Sequence, residues 1–158
     1  MATLDYTGDS VAGAGVPNSF ISKGKPAILY RRLNVPDIIA ADSTMTTNGY
    51  ITADDIIQAI HIKDNFFAKR ALVKIVTACT TNVDIDVGLA GGDEFLATFS
   101  VDGTAGTWDY TTDSDTYENG IMFTANDTID VQFKTANCAA GCIDLYVEGI
   151  LFEEIDAP

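Results

Sequence analysis

Apolar and polar residues alternate with period two over long stretches of this chain. Val83, Ile85, Val87 and Leu89 interleave with Asp84, Asp86 and Gly88; Ile129, Val131 and Phe133 with Asp130, Gln132 and Lys134; Ile143, Leu145 and Val147 with Asp144, Tyr146 and Glu148. Alternation of this kind predicts strands with one face buried and one face wet. Turn formers separate the runs: Asn82, Ala90-Gly91-Gly92-Asp93, Asp102-Gly103, Asn119-Gly120, Asn126-Asp127 and Gly141. Their spacing, roughly every 8–15 residues, predicts an all-β, antiparallel β-sandwich or barrel rather than βαβ units.

Simple register arguments go one step further. A strand over 67–78 and a strand over 82–90 are separated only by Cys79-Thr80-Thr81 and are expected to form a hairpin. Val73 would then face Val87, Ile75 would face Ile85, and Lys74 would lie opposite Asp86. A second hairpin through 135–141 would set Phe133 beside Ile143 and Val131 beside Leu145. The two hairpins would bury their apolar faces against each other. Thr52-Ala53-Asp54-Asp55 has the form of a capping box, which would start a helix with Ile56, Ile57 and Ile60 on one face. The density of β-branched residues and the shortness of the run favour a turn leading into a strand. That strand points Ile56, Ile60 and Ile62 inward and His61 and Lys63 outward. Little helix is expected.

Residues 1–25 carry Gly, Ala, Ser and Thr with no sustained period, and read as an extended N-terminal arm ordered by contact. Residues 26–158 read as one sandwich domain, a size that supports a core without metal or disulfide staples. No stretch reaches the ~18 apolar residues of a membrane span. The first residues resemble no secretory leader, so synthesis in the cytoplasm is expected. Nine basic against 23 acidic side chains give a net charge of −14. This excludes a general nucleic-acid binder, whose affinity comes from Lys and Arg on phosphates, and disfavours anionic membranes. Residues 1–74 sum to +1 and residues 75–158, with Lys134 as their one base, to −15. The bases cluster as Lys23, Lys25, Arg31 and Arg32, then as Lys63, Lys69, Arg70 and Lys74. Such asymmetry either solvates an acidic outer face or docks a basic part on an acidic partner.

Candidate chemistry is sparse. Gly8-Asp9-Ser10 resembles a hydrolase nucleophile block. A serine nucleophile needs a base within reach, and the single histidine, His61, has no acid-histidine motif around it. Cys79, Cys138 and Cys142 are an odd three, which suits reduced thiols. Cys138 and Cys142 are one residue too far apart for a redox pair, and with Cys79 and His61 they do not make a zinc motif. Asp109, Asp113, Asp115 and Glu118 lack the order of an EF-hand and read as a solvated loop, with weak Ca²⁺ binding as the alternative. Trp108, Tyr110 and Tyr117 read either as a sugar-stacking platform or as a satellite cluster under a loop.

Several segments together resemble small tailed-bacteriophage virion proteins. They are Ile51–Ile62, Ala71–Ala78, Val83–Asp93 with its Asp-x-Gly-x-x-Gly-Gly-Asp stretch, Asn126–Phe133 and Gly141–Ile150, and the likeness spans roughly residues 26–155. The resemblance implies a jelly-roll-like subunit, often trimeric, that decorates the outer surface of the capsid as a cement protein. It would bridge adjacent copies of the major capsid protein, with no catalytic residue and no cofactor. The arm, with Lys23, Lys25, Arg31 and Arg32, is expected to contact the shell, and the acidic half to face solvent. The three cysteines have no counterpart in that pattern. The alternative is a carbohydrate-binding β-sandwich on a tail or appendage, using Trp108 and Tyr110.

Overall fold

A computed structural model describes residues 3–5, 11–12, 24–112 and 116–152. The strands are β1 (Thr3–Asp5), β2 (Val11–Ala12), β3 (Gly24–Asn34), β4 (Ile56–Ile62), β5 (Phe66–Thr77), β6 (Asp84–Gly88), β7 (Leu96–Ser100), β8 (Trp108–Tyr110), β9 (Ile121–Phe123), β10 (Asp127–Lys134) and β11 (Cys142–Phe152). Two short helices, α1 (Val35–Ala41) and α2 (Ser43–Asn48), lie between β3 and β4. One sheet runs β1-β4-β10-β6-β7 and the other β2-β3-β11-β5-β8, with β9 also pairing with β5. All pairs are antiparallel except β1 with β4. The architecture is the all-β sandwich that the alternation predicts.

The core lies between the sheets. Leu33, Val73, Ile75, Ile143, Leu145 and Val147 meet Ile57, Ile62, Ile85, Val87, Ile129, Val131 and Phe133, all fully buried. Alternation brings these side chains to one face of each sheet, and the two faces close on each other.

Neither expected hairpin forms. Ile75 pairs with Ile143 and Val73 with Leu145 in one sheet; Ile85 pairs with Phe133 and Val87 with Val131 in the other. Lys74 therefore lies beside Asp144 rather than Asp86. Residues 78–83 and 135–141 carry the chain from sheet to sheet, so the paired apolar runs face each other across the core. Strand length supplies the reason. The twelve residues of β5 find a matching partner in the eleven of β11, whereas β6 has five. A β5–β6 hairpin would leave most of the β5 backbone without a partner, which a buried sheet does not tolerate.

The turn at 52–55 and the following strand form as expected, with Thr52 N–H on Asp55 Oδ2 at 3.0 Å. A register shift opposite Ala59 changes the phase of β4: its pairing with β10 steps from Ile60 to Gln58. Ile57 then joins Ala59, Ile60 and Ile62 in the core cluster, and Ile56 packs beside Gly91 outside it. Helix content is low, as expected, and lies in the segment between β3 and β4. Pro36 stands in the first turn of α1. Asp42 Oδ1 caps α2 by accepting from Thr44 and Met45 N–H at 2.8 and 2.9 Å. Gly49, at φ 79°, ends it. Val35, Ile38 and Met45 are buried in the core cluster.

The long pairing of β3 with β11 reaches back to Gly24, within the segment read as an arm. The arm also contributes β1 beside β4 and β2 beside β3, so it adds to the edges of both sheets of its own chain.

Candidate functional site

The outer face of the six-stranded sheet carries three rows of side chains, fixed by register across β3, β11, β5 and β8. The first row is Ile28, Glu148 and Arg70. The second is Tyr30, Tyr146, Leu72 and Tyr110. The third is Arg32, Asp144, Lys74 and Trp108. Side chains opposite one another in a sheet touch, so each row is a continuous strip. The middle strip is aromatic and apolar, with the Tyr30 and Tyr146 rings 5.0 Å apart. Trp108 and Tyr110, two residues apart on β8, stack at 5.5 Å and 30°. Ile28, Trp108 and Tyr110 are exposed, Trp108 by 56%. Ile28, Leu72 and Tyr146 line an open depression of about 300 Å³ with the stems of Arg70 and Glu148.

Charge pairs frame the strip. Asp144, itself buried, takes Arg32 through both oxygens, Nε at 2.8 Å and Nη2 at 2.9 Å, and accepts from the Tyr30 hydroxyl at 2.9 Å. Burial pushes the Asp144 carboxyl up, but the hydrogen bonds from Arg32 and Tyr30 and the nearby Lys74 charge outweigh it and hold the group below its ordinary value. Burial and the same carboxylate push the Tyr30 hydroxyl up. Arg70 pairs with Glu148.

The outer face of the five-stranded sheet has the opposite character. Lys134 lies among Gln132, Asp54 and Asp86, its Nζ 3.6 Å from Asp54 Oδ1 and 3.7 Å from Asp86 Oδ2. Asp130 is buried there; desolvation pushes its carboxyl up, and its Oδ1 has no hydrogen-bond partner among the described residues. Six of the nine bases (Lys25, Arg31, Arg32, Lys69, Arg70 and Lys74) are thus on the six-stranded sheet, while the four aspartates of β6 and β10 are on the other.

The residues singled out in the sequence are divided by this arrangement. Lys23 lies outside the described residues, as do Gly8, Asp9, Ser10, Asp113 and Asp115. Arg32 belongs to the patterned outer face. Arg31 is half-buried and shares the face of β3 with Leu29 and Leu33, and exposed Lys25 has the same parity. The described bases of the first cluster therefore do not make one patch; Arg32 joins Arg70 and Lys74 of the second. Tyr117 packs edge-on against Phe95 at 5.1 Å, apart from the Trp108–Tyr110 stack. His61 is exposed on β4 opposite Thr128. Among the described residues no group of three or more His, Cys, Asp or Glu side chains could hold a metal ion, and no helix is long and apolar enough to cross a membrane.

All three cysteines are buried free thiols. The Cys138 thiol donates to the Ala140 carbonyl at 3.2 Å, and the Cys79 sulfur lies against Gly141 of the same turn, within interaction range of Cys138. Cys142, four residues after Cys138, lies in the electrostatic reach of Arg32 and Asp144. Sequence reasoning missed Ile28, Tyr30, Leu72 and Tyr146. The available signal was their apolar or aromatic character at positions where the alternation calls for polar ones.

No family model and no curated protein matches this sequence. Solved structures do. A chain from the capsid of Ralstonia phage GP4 superposes with TM-score 0.60 at 16% identity, covering 89% of this chain and 93% of that one. A chain of the cyanophage Pam1 capsid asymmetric unit gives 0.59 at 16% identity, over 89% and 94%. The fold is shared with phage capsid chains. A third, from the acid-stable capsid of Helicobacter pylori bacteriophage KHP30, gives 0.52 at 9% identity, over 84% and 96%. In each case nearly the whole of the other chain is matched.

Proposed function

We propose that this chain is a non-enzymatic structural protein of a bacteriophage capsid, of the decoration (cement) type. The observation that carries the reading is the end-to-end likeness to chains from three phage capsids. The winding supports it: setting aside β1 and β2 at the edges, the sheets read β4-β10-β6-β7 and β3-β11-β5-β8, a jelly-roll order. In this reading the protein sits on the outer surface of the head as a homotrimer and bridges adjacent copies of the major capsid protein. The aromatic face of the six-stranded sheet, ringed by Arg32, Arg70 and Lys74, docks on the shell. The arm, with Lys23, reaches further along the shell, and the acidic sheet faces solvent; Lys25 and Arg31, on the other face of β3, are left out of this contact. Three copies engaged at once make a strong clamp from modest contacts.

Reconstitution on heads lacking the protein tests this. Saturable binding that raises the temperature at which heads release their contents is expected, weakened by Lys74→Glu with Arg70→Glu. Absence of binding by the unaltered protein overturns the reading; unchanged binding after deletion of residues 1–25 overturns only the role of the arm. A second reading rests on the exposed Trp108–Tyr110 stack: a carbohydrate-binding module of a tail or appendage. Glycan binding that disappears in Trp108→Ala, without binding to heads, would favour it.

A further inference from the structure

Three connections meet at one end of the sandwich: the helical segment 35–55, the crossing 78–83 and the crossing 135–141. Backbone bonds fix them to each other and to the sheets. Cys79 N–H donates to Val101 O at 2.9 Å; Cys138 and Ile51 exchange both backbone bonds at 2.8 and 2.9 Å; Val35 N–H donates to Gly141 O at 3.0 Å. Ala139 N–H donates to Thr80 Oγ1 at 2.9 Å, joining one crossing directly to the other. Gly141, at φ +120°, sits so close to Cys79 that a Cβ there would lie 2.5 Å from the Cys79 sulfur. The backbones on both sides of the Cys79–Cys138 thiol contact are therefore held in place.

We propose that Cys79 and Cys138 are a site of oxidative cross-linking, forming a disulfide that joins the two sheet-to-sheet crossings. The oxidant is a peroxide, small enough to reach a buried thiol. One sulfur attacks the peroxide O–O bond, becomes a sulfenic acid and releases water; the second sulfur displaces the hydroxyl group, the S–S bond forms and a second water leaves. Two thiol hydrogens are lost and one peroxide is reduced by two electrons. The environment favours a nucleophilic sulfur at this place: the interaction with Cys79 and hydrogen bonds from Thr80 hold the Cys138 thiol below its ordinary value against the burial that pushes it up. Cys142 stays a free thiol. A chain made in a reducing cytoplasm would fold with three thiols and acquire the link after leaving it. The inference stands on the seat of the Cys79 sulfur against the Cys138–Gly141 turn and on the bonds that hold the two crossings together, and is independent of the capsid reading.

The experiment uses the full-length protein, reduced, freed of reductant and treated with hydrogen peroxide under native conditions. It is then denatured, alkylated and weighed intact. Reduced protein takes three labels. The expected oxidised species takes one label, has lost two hydrogens and yields a Cys79–Cys138 cross-linked peptide on digestion. Closing a ring of about 60 residues should raise Tm by roughly 10 °C, reversed by dithiothreitol. Cys142→Ser should keep the reaction and Cys138→Ser should abolish it. Retention of three labels, a link that involves Cys142, or sulfinic and sulfonic acids without a link would each overturn the proposal. The wild-type reaction decides the matter even if a variant fails to fold.

Discussion

Replacing Trp108 by alanine should separate binding from folding. The side chain is 56% exposed on β8 and its backbone pairs with Lys74. A Trp carries about 150–250 Å² of surface, so on the order of 100 Å² is free for a partner to cover; at roughly 25 cal/mol per Å² that is about 2–3 kcal/mol per copy. Truncation should then weaken each contact with bare heads by roughly 30-fold or more, and a multivalent assembly by a larger factor. The intramolecular loss is smaller, because the stack on Tyr110 is worth only about 0.5–1.5 kcal/mol and neither ring is in the core. Tm should fall by no more than a few degrees. Co-sedimentation with bare heads measures the first effect and calorimetry of the free protein the second. Binding within twofold of the parent protein would refute the placing of this face on the shell, and a large drop in Tm would refute the view of Trp108 as a surface anchor.

Three further outcomes follow from the geometry. Gly141→Ala should lower Tm by at least about 5 °C, since a Cβ at φ +120° would meet Cys79 Cα and Sγ at 2.5 Å. Asp144→Asn should lower stability by about 1–2 kcal/mol at neutral pH, the lower end applying because Arg32 is half-exposed and rehydrates. Because the folded pKa of Asp144 is depressed, its contribution is complete above the unfolded value of about 3.9 and disappears as pH falls through the folded one, so urea titrations of parent and variant should converge in strong acid. Asp130 has the opposite sign. Its folded pKa is raised, so the ionised group opposes folding at neutral pH and the penalty is relieved as pH falls through the folded value. Asp130→Asn should stabilise at pH 7 and have no effect below about pH 3.9; destabilisation at pH 7 would contradict the burial argument.

The faces of the strands were legible in the sequence and their partners were not. Val73, Ile75, Ile85, Val87, Val131, Phe133, Ile143 and Leu145 are all core residues, as the alternation requires. Yet a hairpin and a sheet-to-sheet crossing bury the same side chains, and period two does not distinguish them. The deciding quantity is backbone pairing along the full length of β5 and β11, a long-range property. The helices were missed for a local reason. They are seven and six residues long and leave too few turns for a 3.6-residue period, although Asp42 and Gly49 mark the ends of α2.

The candidate face was half legible for the same reason. The sequence grouped Arg31 with Arg32 because they are adjacent, but neighbours on a strand point to opposite faces. The residues that actually accompany Arg32 are forty to a hundred and more positions away: Lys74 and Asp144 in its own row, Leu72 and Tyr146 in the next. The charge asymmetry between the two halves of the chain becomes an asymmetry between sheets by that route. β3 and β5 bring most of the bases to one sheet, and β6 and β10 bring their aspartates to the other. The asymmetry is not complete, because β11 inserts Asp144 and Glu148 between β3 and β5 and pairs them with Arg32 and Arg70. Those pairs engage Arg32 and Arg70 with carboxylates and leave the aromatic strip as the broad apolar element of the face. Contact there should therefore depend more on ring burial than on ion pairing, and added salt should weaken it less than the loss of Trp108 does.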